Sequence, residues 1–109
     1  MREYAGKARR FALNKTVENL REDEAYRFSI LYPLQVVGEA ATKVPAPVRE
    51  LAPLIPWPLI TGFRHAVVHG YGEVRLDKVQ SILDEELGPL ILALESLISE
   101  VEGQQDHLL

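Results

Sequence analysis

The chain has 109 residues, no cysteine and a net charge of −4, with 47% hydrophobic and 26% charged residues. This length predicts a single domain over residues 1–109, and the composition is that of a globular rather than a disordered protein. The absence of cysteine excludes disulfides, thiolate metal sites and a cysteine nucleophile. No uncharged run approaches the ~20 residues of a membrane-spanning helix, and the first residues lack a signal peptide, so we expect a cytoplasmic protein.

Charge is distributed unevenly along the chain. Residues 1–15 carry five basic side chains against one acidic side chain, whereas residues 76–109 carry eight acidic side chains against one lysine. A chain that is acidic overall is not expected to coat nucleic acid, but a local basic cleft is compatible with this balance. Arg9, Arg10 and Lys15 are candidate phosphate contacts if they line such a cleft.

The N-terminal part is predicted to be helical. Arg2 to Leu13 are good helix formers with an apolar stripe, and Asn14 is a suitable stop. We expect a connecting turn at Thr16 to Leu20, followed by a second helix from about Glu22 to Thr42. Pro33 has no N–H to donate within that helix, so a bend is expected there. The second helix is predicted to bury Ala25, Phe28, Leu31, Leu34, Val37 and Ala41.

Prolines mark the middle of the chain. Five of the seven prolines fall between Pro45 and Pro58, so this stretch cannot form one long helix. We expect a short helix over Val48 to Leu54 and a further helix over Trp57 to His69. Trp57 itself, between two prolines, is predicted to anchor in the core.

The last predicted helix begins near Leu76 and is strongly amphipathic. Its apolar side chains recur at steps of three and four residues, and Gly88-Pro89 should bend it. The stripe is either core or the seam of a dimer, and residues 103–109 are expected to fray. The complete pattern predicts an all-α fold, an antiparallel bundle of four to five helices. The apolar stripe of this last predicted helix comprises Val79, Leu83, Leu87, Leu90, Leu94, Leu97 and Val101.

Four side chains suited to chemistry fall within eight residues: Arg64, His65, His69 and Tyr71. If Gly70 ends the helix, His69 lies at the negative end of the helix dipole, which favours its protonated form and suits it to exchange a proton. Arg64 keeps its charge, and its planar guanidinium matches a phosphate. Together they supply what metal-free RNA cleavage requires, a base for the ribose 2′-hydroxyl and a cation for the charge that grows on phosphorus.

Each of these residues also has an ordinary structural interpretation. Arg64 fits a surface ion pair, His69 fits a helix cap and Tyr71 fits a turn residue that packs its ring. His65 and His69 lie four residues apart, but the nearest carboxylate is Glu73 beyond the loop, so we expect no metal site and no other cofactor. Five residues along a helix turn by about 140°, so either the side chain of Arg64 wraps round or a second subunit completes the site.

Several short motifs follow one another from about Tyr4 to Leu97. They are Val37-Gly38-Glu39-Ala40-Ala41, Ile55-Pro56-Trp57, Gly62-Phe63-Arg64, His69 with Tyr71, Leu76-Asp77-Lys78-Val79 and Leu87-Gly88-Pro89-Leu90. In this order they resemble the HepT-like branch of the HEPN superfamily, whose signature is Arg, four residues, His, one residue, Tyr. The resemblance implies a HEPN-like fold that dimerises, with the Arg–His motifs of both subunits meeting in a cleft.

The resemblance also implies an activity, a metal-independent endoribonuclease toxin of a type VII toxin–antitoxin pair. By position, Arg64 and His69 are the catalytic pair that acts on RNA. Tyr71 is the residue that the partner, a minimal nucleotidyltransferase antitoxin, would silence by AMPylation. His65 replaces an Asn common in the family and is a candidate assisting residue. The loop also lacks the acidic residue before Tyr71 and the aromatic residue after it that many relatives have.

Two functions without catalysis are alternatives to the ribonuclease. One is a non-catalytic HEPN module that binds a nucleotide or docks its partner by helix packing, and the other is a structural dimer joined by the last helix. Substituting Arg64 and His69 separates the three. The ribonuclease would lose activity, the binding module would keep its partner, and the structural dimer would show no effect.

Overall fold

The chain is helical throughout the part that the computed structural model describes, which is residues 1–69 and 75–102 without the side chains of residues 64–69. These residues contain no strand, which confirms the all-α fold class. The elements are α1 (Arg2–Phe11), α2 (Val17–Glu22), α3 (Glu24–Thr42), α4 (Ala46–Arg49), α5 (Trp57–His69), α6 (Leu76–Ser81), a π-helical turn (Ile82–Glu86) and α7 (Leu87–Glu102). Because α6, the π-turn and α7 are continuous, the described residues form six helices, one more than predicted.

The additional helix is α2, which occupies the stretch predicted to be a connecting turn. That prediction is wrong because the segment has both a helix start and an anchor in the core. The backbone N–H of Thr16 donates to Oδ1 of Asn19 at 2.8 Å, which fixes the first turn. Leu20 is completely buried. Helix α1 ends at Phe11, two residues before the predicted Leu13, and the chain turns through Asn14, which adopts a positive φ of 60° as expected of a stop.

Helix α3 begins and ends close to its predicted bounds. The side chain of Asp23 accepts a hydrogen bond from the backbone N–H of Tyr26 at 3.0 Å and so caps the first turn. The helix continues through Pro33 to Thr42 as a single α-helix. Two contacts show that α1 and α3 run antiparallel, because Tyr4 meets Tyr32 whereas Lys15, further along the chain, meets Tyr26.

The buried face of α3 differs in part from the prediction. Ala25 and Phe28 are exposed, and the core instead receives Tyr26 and Ile30. Repeated steps of three residues drift round a helix by about 60° each, so the predicted set could not all share one face. The observed stripe advances mainly by four residues and stays on one side. It comprises Tyr26, Ile30, Leu34, Val37 and Ala41, and Leu31 is buried beside it, so four of the six predicted core residues are confirmed: Leu31, Leu34, Val37 and Ala41.

The proline-rich middle contains a helix shorter than expected. Helix α4 spans Ala46–Arg49, so the predicted bounds of Val48 to Leu54 are wrong at both ends. The guanidinium Nε of Arg49 donates to the carbonyl of Val44 at 3.0 Å, which ties the helix back to the segment before it. Beyond Arg49 the chain turns rather than continuing as a helix, and Leu54 is 97% exposed.

The predicted apolar stripe of the last helix is confirmed, because all seven of its members from Val79 to Val101 are buried. They are buried within one chain, so the alternative in which the stripe forms a dimer seam is wrong. A π-turn over Ile82–Glu86 precedes Gly88 and Pro89, where the bend was predicted; in it the N–H of Leu87 donates to the carbonyl of Ile82. The predicted fraying of residues 103–109 lies outside the described residues. No helix in the described ranges has the length and hydropathy needed to cross a membrane.

Candidate active site

Helix α5 carries the backbone of the predicted motif, and its first turn is fixed by the Pro-Trp-Pro sequence. Trp57 is buried, and its indole N–H donates to the carbonyl of Ala52 at 3.2 Å. Pro58 follows at the second helical position, where its missing N–H would have no intrahelical partner. The N–H of Ile60 donates to the carbonyl of Pro56 at 3.1 Å. The start of α5 and the role of Trp57 as an anchor are therefore both confirmed.

Packing against α3 holds α5 in place. This is the most extensive contact between two helices among the described residues. Ile60 and Phe63 are buried, whereas Leu59 and Gly62 on the other side of the helix are exposed. One face of α5 is thus committed to the core over its first two turns.

Helical register places the motif positions on two different sides of α5. The position of Arg64 is four residues after Ile60 and seven after Trp57, so it is in register with the buried face. His69 is the last described residue of α5 and is seven residues after Gly62, in register with the exposed face. His65, four residues before His69, shares its stripe. The continuous helix thus brings the three positions onto one element but separates Arg64 from His69 by about 140°.

Tyr71 lies outside the described residues, as does the glycine that was predicted to end the helix. The structure describes α5 as far as His69, and the predicted stop at Gly70 lies outside the described residues. It leaves the assignment of Arg64, His65, His69 and Tyr71 to catalysis and modification as a prediction.

An apolar groove of about 260 Å³ adjoins the first half of α5. Leu59 and Phe63 line one side of it, and Pro89 lines the other. Its charged lining residues among those described are Glu85 and Glu86. Because two carboxylates repel phosphate, this groove is not suited to hold an RNA backbone. The sequence pattern did not predict the groove, since it depends on how α7 meets α5.

The chain matches the family described as ribonuclease HepT-like over residues 1–97. It belongs to this family. The match extends through α1 to Leu97 of α7 and includes the positions of Arg64, His65, His69 and Tyr71. The resemblance drawn from the order of the motifs is therefore confirmed.

Three relatives of this HepT-like protein come from two organisms. A protein of Methanocaldococcus jannaschii, provisionally named an RNase, is 28% identical over 98% of this chain and 88% of its own length. A second provisionally named RNase of the same organism is 27% identical, over 84% of this chain and 79% of its own length. A protein of Thermococcus cleftensis, provisionally named ribonuclease HepT, is 27% identical over 69% of this chain and 68% of its own length. No solved structure matches the chain.

The basic residues of this HepT-like chain lie on more than one side of α1. Nη1 of Arg9 lies 3.3 Å from the position that a Cβ at Gly88 would take, so this guanidinium packs across the first turn of α7. The ammonium group of Lys7 lies instead 4.5 Å from the ring centroid of Tyr4, on the side that faces α3. Nζ of Lys15 lies 5.5 Å from the ring centroid of Tyr26, so two of the predicted phosphate contacts, Arg9 and Lys15, lie beside α7 and α3 respectively.

Proposed function

We propose that this protein is a metal-independent endoribonuclease, the toxin of a type VII toxin–antitoxin pair, with Arg64 and His69 as its catalytic residues. The observation that carries the proposal is the match to the ribonuclease HepT-like family over residues 1–97, which includes both positions. The relatives provisionally named as RNases point to the same substrate class.

The two residues suit a cleavage in which the RNA supplies its own nucleophile. The imidazole of His69 takes the proton of a ribose 2′-hydroxyl, and the 2′-oxygen attacks the adjacent phosphorus. The bond from phosphorus to the 5′-oxygen breaks, which leaves a 2′,3′-cyclic phosphate, and the departing 5′-oxygen takes a proton from solvent water. Arg64 cannot lose its charge and binds the phosphoryl oxygens as negative charge grows on them. His65 is the assisting residue in this scheme, next to Arg64 and on the stripe of His69.

We propose further that the active form is a homodimer. The register of α5 separates Arg64 from His69 by about 140°, and a second subunit placed across the helix would bring a partner's residue to the side that each lacks. Such a site would contain Arg64 from one subunit and His69 from the other.

The antitoxin in this proposal is a minimal nucleotidyltransferase that transfers AMP to Tyr71. The modification adds bulk and a phosphate charge two residues from His69. That phosphate would compete with the RNA backbone for Arg64 and so silence the toxin.

RNA cleavage in excess EDTA tests the activity, using protein whose Tyr71 is shown by intact mass to carry no AMP. We expect the wild-type protein to cleave and His69→Ala to lose about a hundredfold or more of the rate, as removal of a general base does. His107→Ala is the matched control, because it also removes a histidine but lies outside the motif.

Two results would contradict the proposal. Cleavage that EDTA abolishes would exclude the metal-independent mechanism. If unmodified wild-type protein does not cleave at all, the non-catalytic HEPN module that binds a nucleotide or a partner becomes the better function.

A further inference from the structure

The apolar groove between α5 and α7 is a surface that the ribonuclease proposed above does not use. Its floor is formed by buried side chains that also belong to the core, among them Ile60, Phe63 and Leu90. Its walls stay open to solvent, because Leu59 is 49% exposed and Leu54 is 97% exposed. A single scattered leucine in water is ordinary, but exposed leucines that border an apolar groove indicate contact with another molecule.

The loop that carries Leu54 is anchored on both sides. Pro53 fixes the backbone before Leu54, and Pro56 restricts Ile55 after it. Ile55 is buried, and its N–H donates to the carbonyl of Ala52 at 3.2 Å. Because the backbone on either side of Leu54 is held in place, a ligand of this groove meets a wall that is already formed.

Negative charge borders the groove on the side of the π-turn. The stretches that line the groove, residues 54–63 and 82–93, contain three acidic side chains and no basic one. Glu85 and Glu86 line the groove itself, and neither has an ion-pair partner within the described part of the chain. Glu85 accepts a hydrogen bond from the hydroxyl of Ser81 at 3.3 Å, which leaves its charge in place.

One cation approaches this border from α1. The guanidinium of Arg9 packs across Gly88, next to Pro89 of the groove, but forms no ion pair with Glu85 or Glu86. Arg9 thus weakens the negative potential of the border without cancelling both carboxylates.

The size of the groove favours side chains over a complete small molecule. Sites for drug-sized molecules have volumes of about 300–1,000 Å³, and this groove measures about 260 Å³. It is also open to solvent along Leu54 and Leu59. A shallow apolar space of this kind suits about two or three side chains of a protein partner, which anchor an interface by filling pockets.

The charge of the border distinguishes between possible protein partners. A second copy of this chain bound groove to groove about a twofold axis would bring Glu85 and Glu86 of both copies together, and like charges repel. The same carboxylates attract lysine and arginine side chains, whose aliphatic stems also cover apolar surface.

We propose that the groove between α5 and α7 binds an amphipathic helix of another protein, with bulky apolar side chains on one face and lysine or arginine beside them. Leu54 and Leu59 contact the apolar face, while Glu85 and Glu86 pair with the flanking cations. This function goes beyond the ribonuclease and does not depend on whether the ribonuclease is active.

Fluorescence anisotropy with a labelled synthetic peptide tests the proposal. The probe has about 15 residues, enough to form a helix, with leucine on one face and lysine on the other, and a matched probe carries glutamate in place of lysine. We expect Leu54→Ala to weaken binding of the lysine probe about tenfold, because the exposed leucine becomes buried in the complex. Leu13→Ala is the control and should bind like wild type, because Leu13 is 66% exposed but does not line the groove.

The acidic border is tested separately. Glu86→Gln should weaken binding of the lysine probe about threefold at low salt, and the difference should shrink as salt screens the pair. Glu95→Gln is the matched control, because Glu95 is exposed on α7 but does not line the groove. The glutamate probe should bind wild type about tenfold more weakly than the lysine probe, since the carboxylates repel it.

Four results would overturn the proposal. The groove is not the binding surface if wild type does not bind the lysine probe, or if Leu54→Ala binds it as tightly as wild type. Equal binding of the two probes would remove the charge complementarity that selects a basic partner. If wild type sediments as a dimer and Leu54→Ala as a monomer, the groove is a contact between two copies of this chain. RNA cleavage is measured independently, so these results leave the ribonuclease proposal unaffected.

Discussion

The hydroxyl group of Tyr26 is buried in α3 and has no hydrogen-bond partner within the described part of the chain. Burial raises the pKa of Tyr26 above its usual value, and the negative charge of Asp84 raises it further. The folded state therefore holds the phenolic proton more tightly than the unfolded state does. Stability is unaffected by this group below the unfolded pKa of about 10 and falls as the pH rises from there through the folded pKa.

At neutral pH we expect the free energy of unfolding of Tyr26→Phe to equal that of wild type or to exceed it by up to about 1 kcal/mol, because the substitution removes an unpaired buried hydroxyl. Its stability should also fall less above pH 10, since the group that titrates is gone. Urea unfolding at neutral and alkaline pH measures both effects. Tyr32→Phe is the control, because Tyr32 is 62% exposed. If Tyr26→Phe instead lowers the free energy of unfolding at neutral pH by more than about 1 kcal/mol, the hydroxyl has a bound partner.

Individual residues differ in how well the sequence predicts them. Trp57 was predicted to anchor in the core because burial of a large aromatic side chain is favourable. It is buried, and its indole N–H donates a hydrogen bond. Phe28 was predicted as core and is 44% exposed. A phenylalanine is equally apolar in the core and at the surface, so only the rotation of α3 against its neighbours determined which side Phe28 faces.

At the scale of single elements, the last helix was predictable because its pattern is long and regular. Steps of three and four residues over six turns allow only one buried face, and the structure buries that face. Short elements were less predictable. Helix α2 was missed because six residues carry too little periodicity, and its existence depends on Leu20 reaching the core.

The burial of the last helix's stripe within one chain has a measurable consequence. Leu94 is 1% exposed, and we expect Leu94→Ala to lower the free energy of unfolding by about 2–5 kcal/mol through lost contacts and a cavity. Leu92→Ala, two residues away on the exposed side, should change it by less than about 0.5 kcal/mol. Urea unfolding measures both variants. A stability of Leu94→Ala that depended on protein concentration, in contrast to Leu92→Ala, would show that the stripe also contacts a second copy.

At the scale of the whole molecule, the proposed dimer must use surfaces other than this stripe. We expect sedimentation at micromolar concentration to show a dimer. If Arg64 and His69 act across the subunit contact, an exchanged mixture of Arg64→Ala and His69→Ala should regain about a quarter of the wild-type activity. Half of the dimers then contain one copy of each variant, and one of the two sites in each such dimer has both Arg64 and His69 intact. A mixture that stays inactive would place both residues of a site in the same chain, and a monomer would exclude the composite site.

The sequence by itself determined that the chain is all-helical, where α5 and the last helix begin, and which family the chain belongs to. These properties depend on local propensity, proline positions and periodic apolar residues, which are written along the chain. Only the tertiary structure decided which side of α3 is buried, that the last stripe is core rather than seam, and that Tyr4 of α1 meets Tyr32 of α3. Those outcomes depend on how helices rotate and pack against one another, which involves contacts between residues distant in the sequence.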